Sequence, residues 1–467
     1  MPYLVLNLIV LPVTIAVCAA VGVFSESAAV RITLALAGPP CWLLLSGLLL
    51  IPEQKAHGYR MLNKCVDVGM CHIETARHYL TSESFLGAAI KSLKKARGDA
   101  NVLVQTKVRP YTEPEAFKQT VRSCLSTLSL ECVDLLAVHG VNLSEHVDTT
   151  ISTIMPAANE LKSEGKTKAI GFSFHCATTD AVRLIESGQP DFVNLHFNFF
   201  GSYTNVNNAA AIAAASSQGM GVMCISPVGQ AGDLAKPSAE LLRLCAPLHP
   251  IEFNILFILT YPGVHTCSTA PPATGEMGRQ LNVIRLLPVA HKLLPPIINR
   301  LRKHAQEKLG SEFSNGWTEG VDKLTQGGGT PPPPGCMNVA ILLLCFCLHE
   351  AFGMTAFAKR MHNNLSYPGD WCAGSSTAAM GYGRGAEDDA AVASLKASLK
   401  AAGSPFTERI IEMLRSFQAL AAPKVPVKPL PVMSYLQAYV MWWMKTSCWI
   451  AGFRQSKEYG AMPKTDN

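Results

Sequence analysis

Seven short apolar runs, each followed by a polar turn and a helical pattern, organise the middle of this chain. They lie at 71–73, 102–105, 133–138, 169–172, 192–195, 221–225 and 264–267. Runs so short and so nearly continuous suit parallel strands covered on both faces. Their alternation with helices over about 200 residues predicts an α/β fold with a parallel sheet. An eight-stranded (β/α)8 TIM barrel requires one strand more, and residues 33–37 (TLALA) are the upstream candidate. A doubly wound open sheet is the alternative. No GxGxxG follows an early strand, and Gly381-Tyr382-Gly383-Arg384-Gly385 reads as a loop.

The intervening helices are legible. Thr112 and Glu115 are spaced as a capping box, and Phe117, Val121, Cys124, Leu125 and Leu128 form one apolar stripe behind it. A further helix from Thr179 is expected to stop at Ser187-Gly188. The fold class is α/β: a TIM barrel with a helical C-terminal extension and an apolar N-terminal segment.

The chain has 467 residues, too many for the barrel alone, and its ends differ from its middle. Residues 1–24 carry no charged side chain, as expected of a membrane anchor or targeting segment. A second uncharged run, 32–52, reads either as barrel strand and loop carrying Trp42 or as a membrane limb. The barrel is assigned to 32–295. A C-terminal helical extension spans 296–375 with a Gly/Pro loop at 327–335, and a tail follows over 376–467. Within that tail, 432–453 is apolar and aromatic but contains Lys445, which suits an interfacial helix better than a span.

With 48% hydrophobic and 16% charged residues, the chain has ample material for a core, and disorder throughout is excluded. A net charge of +6 with no long basic run gives no reason to expect a nucleic-acid partner. The 15 cysteines are scattered and form no CxxC, so reduced thiols are expected rather than a disulfide framework or metal cluster.

Chemistry in a β/α barrel is built at the C-terminal ends of the strands. Read at those positions, the chain offers Glu74 and Tyr79, then Lys107, then His139, then Ser173 and His175, then Asn194 and Ser226. Glu74, Lys107, His139 and Ser173 are spaced by 33, 32 and 34 residues. That regularity places a carboxylate, a phenol, an ammonium and an imidazole around one mouth.

Residues 69–79 (GMCHIETARHY), 105–108 (QTKV) and 137–140 (AVHG) resemble, in that order, the signature blocks of the aldo-keto reductase family. Residues 171–175 (GFSFH) and 225–229 (ISPVG) resemble further blocks, and 352–365 is similar to the C-terminal extension of a bacterial-type branch, without that branch's cysteine cluster. The resemblance implies a barrel that reduces a small aldehyde or ketone with NADPH, NADH being the alternative cofactor. It implies Tyr79 as general acid, Lys107 as its electrostatic partner, His139 as the group that orients the carbonyl, and Glu74 as the carboxylate that holds Lys107. Ser173, Asn194 and Ser226 would face the cofactor, and Trp42 and His175 the substrate; no metal is implied.

The chemistry is coherent on its own terms. Hydride delivery to a carbonyl leaves an alkoxide that needs a proton, and a nearby ammonium makes a phenol a better acid. The family's carboxylate is an aspartate, and Glu74 is longer by one methylene. The basic residue expected after the last strand is missing from 267–275. These departures motivate the alternative of a weak or dead nicotinamide-binding barrel that acts as a sensor or interaction module. Membrane association is expected only through residues 1–24, with the barrel on a reducing side, or in the cytoplasm if that segment is not native.

Overall fold

The computed structural model describes residues 59–110, 113–269, 274–310, 339–364 and 388–421, less 80, 99–101, 143, 176–177, 204–207 and 230–232, together with 319–321 and 324. The expected strand at 33–37, Trp42, the segments 1–24 and 432–453 and the loop 327–335 lie outside the described residues.

Every apolar run of the middle region contributes to a strand: β1 His72–Glu74, β2 Leu103–Val108, β3 Val133–Val138, β4 Thr167–Ser173, β5 Phe192–His196, β6 Gly221–Ile225 and β7 Thr266–Ser268. They pair in parallel and in chain order, β1 to β7. A doubly wound sheet reverses its strand order at a switch point. This sheet never does; it curls into a nearly closed barrel with helices outside.

The outer layer begins with a helix over 59–67 (α1). It continues with α2 Ser82–Arg97, α3 Pro114–Leu128, α4 Ser144–Thr149, α5 Met155–Ser163, α6 Thr178–Glu186, α7 Ala209–Ser217, α8 Ala239–Cys245 and α9 Pro250–Leu259. Helix α3 buries the expected stripe from Phe117 to Leu128. Its capping box does not form. Pro114 takes the first helical position and Glu113 becomes the N-cap, without a side-chain bond. That leaves Glu115 at the second position, one short of where the box needs it. Helix α6 ends as expected, with Gly188 at φ +68°.

One glycine is required by close approach. A methyl group on Gly171 of β4 would sit 2.5 Å from Cδ2 of Phe192 on β5 and strike the Phe192 carbonyl as well.

After β7 the chain turns helical: α10 Thr274–Leu286, a 3-10 turn at Leu287–Val289, α11 Ala290–Leu309, α12 Val339–Glu350, α13 Thr355–Asn364, α14 Asp388–Ala401 and α15 Thr407–Ala421. The expected boundary at 295 falls inside α11, which runs through Pro295 and Pro296. The expected tail also needs correction, because α14 and α15 belong to the globule. Val392, Leu395, Leu399, Ile410, Leu414 and Phe417 are buried in one core with α8 to α13. The Ala-rich composition of this part conceals a good helix former with an i, i+3, i+7 apolar stripe. The stretch 277–309 is long and apolar enough to cross a membrane. However, Val283, Leu294, Ile297 and Leu301 face the same core.

Candidate active site

Inward-facing positions on β2 alternate, so Gln105 and Lys107 point into the barrel while Thr106 points out to α2. Thr106 Oγ1 donates to Glu83 at 2.7 Å, and Glu83 pairs with Arg77 at 3.3 Å. That outer contact ties the start of α2 and the chain after β1 to the barrel wall. Backbone bonds from Thr75 N–H to the Gln105 carbonyl (2.8 Å) and Arg77 N–H to the Lys107 carbonyl (3.0 Å) prolong β1 along β2. A turn closed by Tyr79 N–H on the Ala76 carbonyl (3.0 Å) then carries the phenol back over Lys107.

The four residues expected to act together meet. Lys107 is 1% exposed and ion-paired with Oε1 of Glu74. Its Nζ also donates to the Thr75 carbonyl at 3.2 Å and to the Tyr79 hydroxyl at 3.4 Å, and lies 4.8 Å from the centre of the Tyr79 ring. Tyr79 is 43% exposed, so the phenol bridges a buried ammonium and the surface of the mouth. The His139 ring stands edge-on to Tyr79 with centroids 5.4 Å apart. The longer carboxylate at 74 therefore still reaches its lysine.

His139 is pushed down to about 3, first by burial and then by the charge of Lys107, with smaller contributions from His78 and Arg109. It is a neutral imidazole throughout the physiological range. His175 and His196 form a second imidazole pair, Nδ1 to Nε2 at 2.7 Å. Burial lowers His196 to about 4 and His175 well below its ordinary value, the latter helped by His196, His139 and Lys107.

These shifts have a definite sign. Below the ordinary histidine value of 6.5 the unfolded chain takes up protons that the folded chain does not, so stability falls as pH falls from 6.5 towards about 4. One such histidine costs about 1.4 kcal/mol between pH 7.5 and 5.5. Urea unfolding at the two pH values is expected to show a loss of about 4 kcal/mol for the three histidines together. His139→Asn is expected to reduce the loss by about a third.

The polar strand ends behave less uniformly. Ser173 is buried and its hydroxyl accepts from Gly140 N–H at 3.0 Å, which ties the β3 exit to β4. Asn194 is wholly buried; its Oδ1 accepts from Gln105 at 3.0 Å and its Nδ2 donates to Oε2 of Glu74 at 3.3 Å. Both were expected against a cofactor. In the structure both are buried and hydrogen-bonded within the wall. Ser226 remains on the rim, half-buried, with φ +54°, a conformation rare outside glycine. His175 is half-buried, and its N–H donates to Oδ1 of Asn142 at 3.0 Å. Sequence reading overlooked Gln105, although its position two residues before Lys107 puts it on the same face.

A groove of about 450 Å³ lies against α10, lined by Glu252, Gly278, Arg279, Leu281, Asn282 and Arg285. The helix leaves β7 at the mouth end. Arg279 thus supplies a cation just beyond 267–275, where none was found. Among the described residues no cluster of three or more metal-ligating side chains occurs.

A tyrosine, a lysine, a histidine and a carboxylate thus converge at the C-terminal mouth of a parallel barrel, the end at which such barrels build their sites. Residues 51–254 match the Aldo/keto reductase family. Similar curated proteins are the L-galactose dehydrogenase of Arabidopsis thaliana, 32% identical over 113 residues, and Aldo-keto reductase str7 of Strobilurus tenacellus, 24% identical over 189 residues. These matches cover 23% and 40% of this chain, and 34% and 54% of those proteins. The chain thus spans about half or less of the length of the curated relatives it matches. Similar solved structures include the holo form of an aldo-keto reductase from Bacillus halodurans (17% identity, TM-score 0.42, covering 52% of this chain and 88% of that one). Another is an aldo-keto reductase from Klebsiella pneumoniae in complex with NADPH (18% identity, TM-score 0.41, covering 52% and 87%).

Proposed function

We propose that the barrel is an NADPH-dependent oxidoreductase that reduces aldehydes or ketones to alcohols. The observation that carries this reading is an accessible phenol hydrogen-bonded to a buried ammonium, Tyr79 to Lys107 at 3.4 Å. When bound, NADPH supplies the hydride. Tyr79 gives its proton to the developing alkoxide, and Lys107 stabilises the phenolate left behind. Glu74 ion-pairs with Lys107 and aims it at Tyr79. Neutral His139 has an N–H to offer the carbonyl oxygen and no charge to lose, so it orients the substrate beside the acid.

The residues present fit an anionic dinucleotide. Arg279 and Arg285 line the groove beside Gly278, where no side chain stands between backbone and ligand, and Ser226 lies on the rim of the mouth. Charge-assisted bonds to a phosphate are the strong kind. Arg279→Ala is therefore expected to raise the KM for NADPH about tenfold while changing that for NADH less than threefold. Steady-state kinetics with the two cofactors checks this.

The sensor reading is motivated by the length of Glu74 and by the basic residue missing from 267–275; the Glu74–Lys107 ion pair weighs against the first of these. Titrating NADPH by its fluorescence and then adding 4-nitrobenzaldehyde separates the two readings. Binding followed by oxidation is expected for a reductase. Binding without oxidation would leave a non-catalytic module.

We also place the barrel on the reducing side of any membrane it meets. Asn142, within the sequon Asn142-Leu143-Ser144, is buried and its carbonyl is engaged by His175 N–H, a poor site for a glycan. A fluorescent fusion found in the culture medium would contradict that placement.

A further inference from the structure

We infer that Asn194 is a positioning residue of this site: it holds one oxygen of Glu74 so that the other faces Lys107. The inference rests on the reductase reading and adds how the longer carboxylate is aimed.

Glutamate has one more rotatable bond than aspartate. Held by the lysine alone, its carboxylate keeps the freedom to swing, and a shift of about 1 Å in a catalytic group can cost ~100-fold in rate. Here both oxygens are held, Oε1 by Lys107 and Oε2 by Asn194 Nδ2 at 3.3 Å. Asn194 is fixed in turn by Gln105 Nε2 on its Oδ1 at 3.0 Å, and Gln105 Oε1 meets His72 Nε2 at 3.1 Å.

The chemistry allows this chain one direction only. An ionised carboxylate accepts and never donates. Asn194 must therefore turn its NH2 to Glu74 and its carbonyl to Gln105. Gln105 then turns its own carbonyl to His72, whose Nε2 carries the proton. Each donor finds an acceptor from His72 to Glu74, and Lys107 closes the other end. The chain crosses the barrel interior, joining β1 and β2 to β5, with Glu74 and Asn194 120 residues apart in sequence. Asn194 has no accessible surface.

Asn194→Ala is expected to lower kcat about tenfold or more. The NADPH dissociation constant, read by fluorescence, should stay within about twofold, because the proposed role of Asn194 is exerted through its bond to Glu74. Glu74→Asp withdraws the carboxylate from Asn194. In that background Asn194→Ala should therefore cost less than threefold, a non-additive cycle. Weakened NADPH binding at unchanged kcat, or losses that simply multiply, would overturn the assignment. If the wild-type protein binds NADPH yet reduces no carbonyl, the reductase reading fails by itself. The same cycle is then read from thermal unfolding, where non-additive shifts uphold the Glu74–Asn194 link and additive shifts end it.

Discussion

Glu74→Ala is expected to destabilise the barrel by about 3–5 kcal/mol. Lys107 is 1% exposed, and Glu74 is its ion-pair partner. Removing the carboxylate leaves a buried ammonium with the Thr75 carbonyl at 3.2 Å and the Tyr79 hydroxyl at 3.4 Å, both neutral. Breaking one half of a buried pair is costly because the other charge is left uncompensated, whereas replacing both halves with apolar groups is often nearly neutral. Glu74→Ala combined with Lys107→Met should therefore recover most of the lost stability and none of the activity. Urea unfolding of the two variants measures the first part, and NADPH oxidation the second. A single variant as stable as the wild-type protein would mean that Lys107 is satisfied in some other way.

Tyr79→Phe is expected to do the reverse, abolishing activity with little effect on the fold. The phenol is 43% exposed and its bond to Lys107 is long, so losing the hydroxyl leaves no buried group badly unsatisfied. A positioned general acid contributes about 10²–10⁴-fold, and kcat should fall by that factor. NADPH affinity should stay within about twofold, since the proposed role of the hydroxyl is to give a proton to the substrate oxygen rather than to hold the cofactor. Retained turnover would transfer the acid role to another group, Lys107 at 3.4 Å or His139 with its ring centre 5.4 Å away.

The strands were legible because their apolar runs are bounded by turns and repeat at a steady interval. Each run from 71–73 to 264–267 overlaps a strand, and 133–138 and 221–225 match theirs residue for residue. The four-residue site was legible for the same reason: a repeat of 32 to 33 residues brings Glu74, Lys107 and His139 to one end of neighbouring strands. What lay beyond sequence reading was the direction of the second layer of polar side chains. Ser173 and Asn194 sit at strand ends like the others, and nothing local shows that one bonds Gly140 and the other reaches across to Glu74. Such contacts depend on barrel curvature, which couples residues 120 positions apart. The helices at 388–421 were obscured for a different reason. Their Ala-rich composition resembles a flexible tail until Leu395, Leu399 and Phe417 are seen to share a core with α12. The capping box failed by a single residue, because Pro114 shifted the start of α3.

The most direct measurement follows a label. NADPH carrying deuterium at the transferable position is incubated with the full chain and 4-nitrobenzaldehyde, and the products are read by mass spectrometry. One deuterium on the carbinol carbon for each NADPH consumed, lost in Tyr79→Phe, is the expected result. NADPH consumed with no deuterium in the alcohol, or an equal yield from Tyr79→Phe, would contradict a phenol and ammonium pair acting on a newly reduced carbonyl.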